Sequence, residues 1–73
     1  MKIQFIEVGP NNSSWTAEVS ELEYEALYRE VKDKAMLMSR TIDFSYDGES
    51  KSGEVIVGGF RTVGKFKVLE TVH

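Results

Sequence analysis

The stretch SELEYEALYREVKDKAMLM, residues 20–38, decides the fold, because it is the one segment that reads as a helix between two blocks of strand pattern. Ser20-Glu-Leu-Glu23 has the form of a capping box. In that device the Ser20 hydroxyl accepts from the Glu23 backbone N–H while the Glu23 carboxylate reaches back. Val19 and Tyr24 occupy the two staple positions around it. Tyr24, Leu27, Tyr28, Val31, Ala35 and Met38 recur at helical spacing and form one apolar stripe. Glu21, Glu23 and Glu25 crowd the first turns and Lys32 and Lys34 the last, as the helix dipole prefers. The pairs Glu25 with Arg29 and Glu30 with Lys34 stand four residues apart in the favourable order. The pattern predicts a helix over 21–37.

The pattern on either side has period two. Ile3 and Phe5 alternate with Lys2 and Gln4, with Val8 one residue out of phase, and mark a first strand. Gly9-Pro-Asn-Asn-Ser-Ser14 collects turn formers. Trp15, Ala17 and Val19 then alternate with Thr16 and Glu18, so the first two strands make a hairpin. After the helix, Ile42, Phe44 and Tyr46 alternate with Asp43, Ser45 and Asp47 in a third strand, followed by a polar loop over 47–53. A fourth strand starts at Glu54 and runs to about Phe60, and Phe66 and Val68 alternate with Lys65 and Lys67 in a fifth. The order ββαβββ gives an α+β fold, a single helix packed on one face of a mostly antiparallel sheet of four to five strands. That element order resembles the β-grasp fold shared by ubiquitin-like proteins. The C-terminal Leu69-Glu-Thr-Val-His73 lacks the di-glycine that conjugation by such proteins uses, so the resemblance implies no modifier role.

Composition narrows the function classes. Seventy-three residues make one domain close to the lower limit for a core without staples. With no cysteine, neither a disulfide nor a thiolate metal site can supply one, and a reducing cytoplasm is the expected compartment. No run approaches the apolar length of a membrane span, and residues 1–8 alternate where a signal peptide needs a continuous apolar core. The net charge of −3 argues against broad attraction to phosphate backbones. The charge is uneven, however: Arg61, Lys65 and Lys67 stand in 58–68 without an acid.

Two stretches come close to ligand-binding motifs. GFRTVGKF, residues 59–66, matches a phosphate loop at Gly59, Gly64 and Lys65, with Phe66 in the Ser/Thr position. A phosphate loop must lead into a helix whose N-terminus faces the phosphates. The residues after Lys65 alternate as a strand, so Gly58, Gly59 and Gly64 read as a turn between the last two strands. Asp43, Ser45, Asp47, Gly48 and Glu54 fall at positions 1, 3, 5, 6 and 12 of a calcium loop. Lys51 at position 9 would repel the ion, Ser50 replaces the usual apolar residue at position 8, and the flanks read as strands rather than helices. We expect a polar hairpin loop there, and no cofactor or metal.

Catalysis finds no footing either. His73 is the only histidine and the last residue, so no ordered base is available to activate a serine or threonine. The pairs Asp43/Asp47 and Glu49/Glu54 have the chemistry of acid–base couples, but so small a domain offers them no deep cleft. The expectation is a non-enzymatic protein-interaction module: an adaptor, regulator or inhibitor of a protein partner. Its candidate contact residues are Arg61, Lys65, Lys67, Phe60 and Trp15, on a sheet edge and end near Gly58–Lys67 that could accept a partner strand. For Trp15 a place in the core is the stronger reading; Met36 and Leu37 fall off the helical stripe and read as helix-end packing or exposed surface. The alternative is a nucleic-acid-binding accessory protein that uses the basic 58–68 hairpin, with Phe60 and Phe66 as stacking rings.

Overall fold

The computed structural model describes residues 1–35, 37 and 41–69. The elements run β1 (Lys2–Val8), β2 (Ser13–Glu18), α1 (Tyr24–Lys34), β3 (Ile42–Asp47), β4 (Ser52–Val57) and β5 (Arg61–Leu69). The expected order ββαβββ is therefore present, as one helix on a five-stranded sheet. The strands lie side by side as β2-β1-β5-β4-β3, and each neighbouring pair is antiparallel. Connecting β2 to β3, the helix carries the chain from one edge of the sheet to the other.

One row of cross-strand partners spans the whole sheet on the helix side. Trp15 pairs with Phe5, Phe5 with Phe66, Phe66 with Gly53, and Gly53 with Tyr46. The rings of Phe5 and Trp15 stack at 4.6 Å, and Phe5 meets Phe66 at 6.1 Å. The row is continuous although β4 contributes only a glycine, because Tyr46 reaches across the gap and stacks on Phe66 at 6.2 Å and 8°. A Cβ at Gly53 would run into the Ser45 carbonyl oxygen and lie 2.5 and 2.7 Å from Phe66 ring carbons. Glycine is required there first by the Ser45 carbonyl and then by the Phe66 ring. Gly64 fills a similar need, since a Cβ would fall 2.6 Å from Val8 Cγ2.

The core lies between this face and α1. Ile3, Phe5, Val8, Val55 and Phe66 of the sheet meet Leu27, Val31 and Ala35 of the helix, all of them buried. Val8 reaches the core out of phase because β1 carries an irregularity between Phe5 and Val8, with Glu7 at φ 48°. An extra residue of this kind resets which side chains face inward. The Glu7 N–H donates to Ser14 Oγ at 3.0 Å. At the far end of the helix, Gly9 (φ +82°) lies so close to Ala35 that a Cβ would be 2.9 Å from the Ala35 carbonyl oxygen.

The helix start differs from the sequence expectation. α1 begins at Tyr24, Glu23 is the N-cap residue, and no side chain caps the backbone, so Ser20 closes no capping box. Val19 N–H still donates to Met1 O at 2.9 Å, extending the β1–β2 pairing past Glu18. Residues 20–23 then turn, which packs Leu22 against the core. With Glu23 as N-cap, Leu22 and Leu27 occupy the staple positions assigned above to Val19 and Tyr24. Packing Leu22, which is half-buried, competes with a serine cap: full burial of a leucine is worth about 1.5–3 kcal/mol, partial burial a fraction of that, and a cap about 1. Of the expected stripe, Leu27, Val31 and Ala35 are buried, Tyr28 is half-buried and Tyr24 is exposed. Leu37 is buried, while Met36, Met38 and His73 lie outside the described residues.

The C-terminal half also shifts. β4 ends at Val57, residues 58–60 form the turn, and β5 starts at Arg61, earlier than the alternation of Phe66 and Val68 suggested. Gly64 lies inside β5 and turns nothing. Nor is the region near Gly58–Lys67 a sheet edge. β5 is the central strand, bonded to β1 and β4, and the edges are β2 and β3.

Candidate functional site

The five residues singled out from the sequence do not converge. Phe60 sits in the β4–β5 turn and is 88% exposed, with exposed Arg61 beside it. Lys65 and Lys67 project from the middle of the sheet on the face away from the helix, level with Glu54 and Ser52. Phe66, between them, points the other way and is buried, so it offers the lysines no stacking face. Trp15 is half-buried on the helix side, and its Nε1–H donates to Glu30 Oε1 at 3.1 Å. That bond and the Phe5 stack make Trp15 a packing residue with its polar end satisfied.

Both near-motifs resolve into hairpins. Phe60 leads into the nine-residue β5, which starts at Arg61, so Lys65 continues as strand to Leu69 where a phosphate loop would turn into a helix. Asp43, Ser45 and Asp47 all lie in extended β3. At about 3.3 Å of rise per residue, the Cα atoms of Asp43 and Asp47 stand roughly 13 Å apart. Calcium ligands must come within about 2.6 Å of one point. Asp47 Oδ1 instead accepts from the Glu49 N–H at 3.0 Å and pins the turn.

A feature the sequence did not point to lies where the start of α1 crosses β3. Phe44 meets Tyr24 edge-on at 5.5 Å and Phe66 at 6.2 Å, and Tyr46 stacks on Phe66. Together with Leu22 and Leu27 these rings line a recess of about 220 Å³ that is open to solvent. Tyr24 and Tyr46 form its exposed walls, at 50% and 44% exposure, while Phe66 closes the floor. Among the described residues Glu23 is the only charged one in the lining. On its other side Tyr24 stacks against Tyr28 at 5.7 Å, and the Lys32 ammonium lies 5.8 Å from the Tyr28 ring.

The Tyr24 hydroxyl fixes one wall of the recess. It donates to the Ile42 carbonyl oxygen at 2.6 Å. Thr41 O accepts from Gly58 N–H towards β4, so by alternation Ile42 O faces outwards from the sheet edge. Tyr24 thereby satisfies an acceptor that the edge would otherwise present to a foreign strand. Desolvation of the hydroxyl, then the Asp43 carboxylate and Tyr28, raise the Tyr24 phenol above its ordinary value. Half of Tyr24 is solvent-exposed, and its hydroxyl is held at the edge of β3 by the bond to Ile42.

The recess escaped sequence reading because its residues come from three places, 22–27, 44–46 and 66. The helical spacing placed Tyr24 in a buried stripe, and the alternation of β3 could not show that Tyr46 extends beyond the helix. The sequence reading also left Gly53 in the polar loop over 47–53, whereas it lies inside β4 between Phe66 and Tyr46. The chain matches no protein-family model, no curated protein and no solved structure. No helix among the described residues is long and apolar enough to cross a membrane.

Proposed function

We propose that this chain is a small, non-enzymatic, cytoplasmic interaction module that docks a protein partner through the aromatic recess beside β3. The observation that carries the reading is the exposure of Tyr24 and Tyr46 on a rigid wall. Each ring is locked on one side, by Tyr28 and Phe66 respectively, yet half of its surface faces solvent. Aromatic side chains held in place in this way lose little entropy on binding and dominate protein interfaces. A single exposed Phe60 in a turn is ordinary surface by comparison.

Nucleic-acid binding through Lys65 and Lys67 is the competing reading. The experiment is quantitative capture from a lysate of the source cell with four baits: wild type, Tyr46→Ser, Phe60→Ser and the Lys65→Glu/Lys67→Glu pair. Each is first shown to be folded by circular dichroism. Specific proteins lost only with Tyr46→Ser support docking at the recess. Loss with Phe60→Ser alone moves the contact to the β4–β5 turn. Nucleic acid lost only with the lysine pair overturns the reading.

A further inference from the structure

Resting on that reading, we propose that the recess receives an arginine side chain of the partner, its guanidinium laid against Tyr46 and paired with Glu23. The argument is chemical complementarity. The walls are ring faces and leucine methyls, and one carboxylate stands among them. An anion would be repelled, and an apolar side chain would make no use of the Glu23 charge, which is exposed at the rim. The flat guanidinium fits both surfaces, because it stacks on aromatic faces and bonds a carboxylate through two parallel N–H groups. A volume of about 220 Å³ leaves room for that group and part of its stem, given that a water molecule occupies roughly 30 Å³ in the liquid.

The charge around the recess points the same way. Glu21 and Glu25 flank Glu23, and Asp43 is close enough to act on the Tyr24 phenol. These outweigh the roughly half unit of positive charge at the start of a helix. Among the described residues no cation occupies the place. The ion pairs among them are Met1 with Glu18 and Lys34 with Asp33, and no lysine or arginine lines the recess. Arg29 does not line the recess; it lines two neighbouring depressions, one with Tyr24, Glu25 and Tyr28 and one that it shares with Glu23 and Glu30. The molecule already makes one contact of this type, with the Lys32 ammonium over Tyr28. Lysine is the poorer occupant, since its ammonium is compact, strongly hydrated and unable to stack.

The test is an NMR titration of isotope-labelled protein with three blocked tripeptides, acetyl-Gly-X-Gly-amide, in which X is arginine, lysine or citrulline. The arginine peptide should shift the resonances of Glu23, Tyr24 and Tyr46 with a dissociation constant on the order of 1–10 mM. Citrulline, equal in shape but uncharged, should leave them unmoved. Glu23→Gln should weaken the arginine peptide by about fivefold or more, the share of a charge-assisted pair. Equal binding of citrulline, indifference to Glu23→Gln, or shifts confined to other acids such as Asp33 would overturn the assignment. If the captured proteins still depend on Tyr46 while the arginine peptide fails, docking stands and arginine falls. If they do not depend on Tyr46, docking itself falls, whatever the peptide does.

Discussion

Replacing Gly53 by alanine tests the row of rings that both holds the sheet together and builds the floor of the recess. The added Cβ meets the Ser45 carbonyl on one side and the Phe66 ring at 2.5 and 2.7 Å on the other. Neither can retreat easily: the carbonyl belongs to the β3–β4 ladder, and Phe66 is 1% exposed between Phe5, Phe44 and Tyr46. Overpacking of this kind costs about 1–3 kcal/mol. Separating Tyr46 from Phe66 adds about 0.5–1.5 kcal/mol of ring contact. Reduced freedom of the unfolded chain returns about 0.4–1 kcal/mol. The net loss is centred on about 2 kcal/mol, within a span of about 0.5–4, from a total of roughly 4–11 kcal/mol for a chain of 73 residues. Thermal unfolding followed by circular dichroism should therefore show a midpoint lower by about 10 °C. Tyr46→Ala alone should cost less, and the double variant should be more stable than the sum of the two, by about 0.5–1 kcal/mol, because the ring stack can be lost only once. A Gly53→Ala protein as stable as wild type, or strict additivity with Tyr46→Ala, would refute the claim that Gly53 exists to let Tyr46 reach Phe66.

Three further outcomes follow from the same structure. Ser20→Ala should change the denaturant midpoint by much less than the about 1 kcal/mol of a true cap, because the helix starts at Tyr24; a full capping loss would restore the earlier start. Tyr24 has a phenol raised above 10.0 in the folded state, so the stability it contributes is present below that pH and lost as pH rises through the elevated value. Stability measured from pH 8 to 12 should fall more steeply for wild type than for Tyr24→Phe, and parallel curves would contradict the placement of the hydroxyl on Ile42. Millimolar calcium should leave the melting temperature unchanged, since Asp43 and Asp47 are spread along an extended strand; a rise abolished by Glu54→Gln would show a site.

The elements were legible where one local signal acted alone. The alternation of Ile3 and Phe5, of Trp15 and Ala17, and of Ile42 and Phe44 reports directly which side of a strand meets the core. The order of elements and the single helix followed from those patterns. Signals in competition were not legible. Ser20 and Glu23 form a sound local capping pattern, but the tertiary gain from placing Leu22 against the core moved the helix start by one turn. Gly58, Gly59 and Gly64 look alike in sequence, yet the first two form a turn and the third makes room for Val8. Strand neighbours were out of reach for a different reason. Nothing in the alternation of Lys65, Phe66 and Lys67 tells a central strand from an edge, so the sequence could not show that β5 is central while the 58–60 turn stands at the sheet's end. The recess depends on that same strand order, which brings Phe66 beside Gly53 and Gly53 beside Tyr46.

The most direct test of the account is photo-crosslinking in the source cell from three positions, with p-benzoylphenylalanine replacing Tyr46, Phe60 or Lys65 one at a time. Docking through the recess predicts a discrete protein adduct from position 46, competed by excess unlabelled wild-type protein and absent from position 65. Adducts from position 60 or 65 with none from position 46, or adducts to nucleic acid, would contradict it.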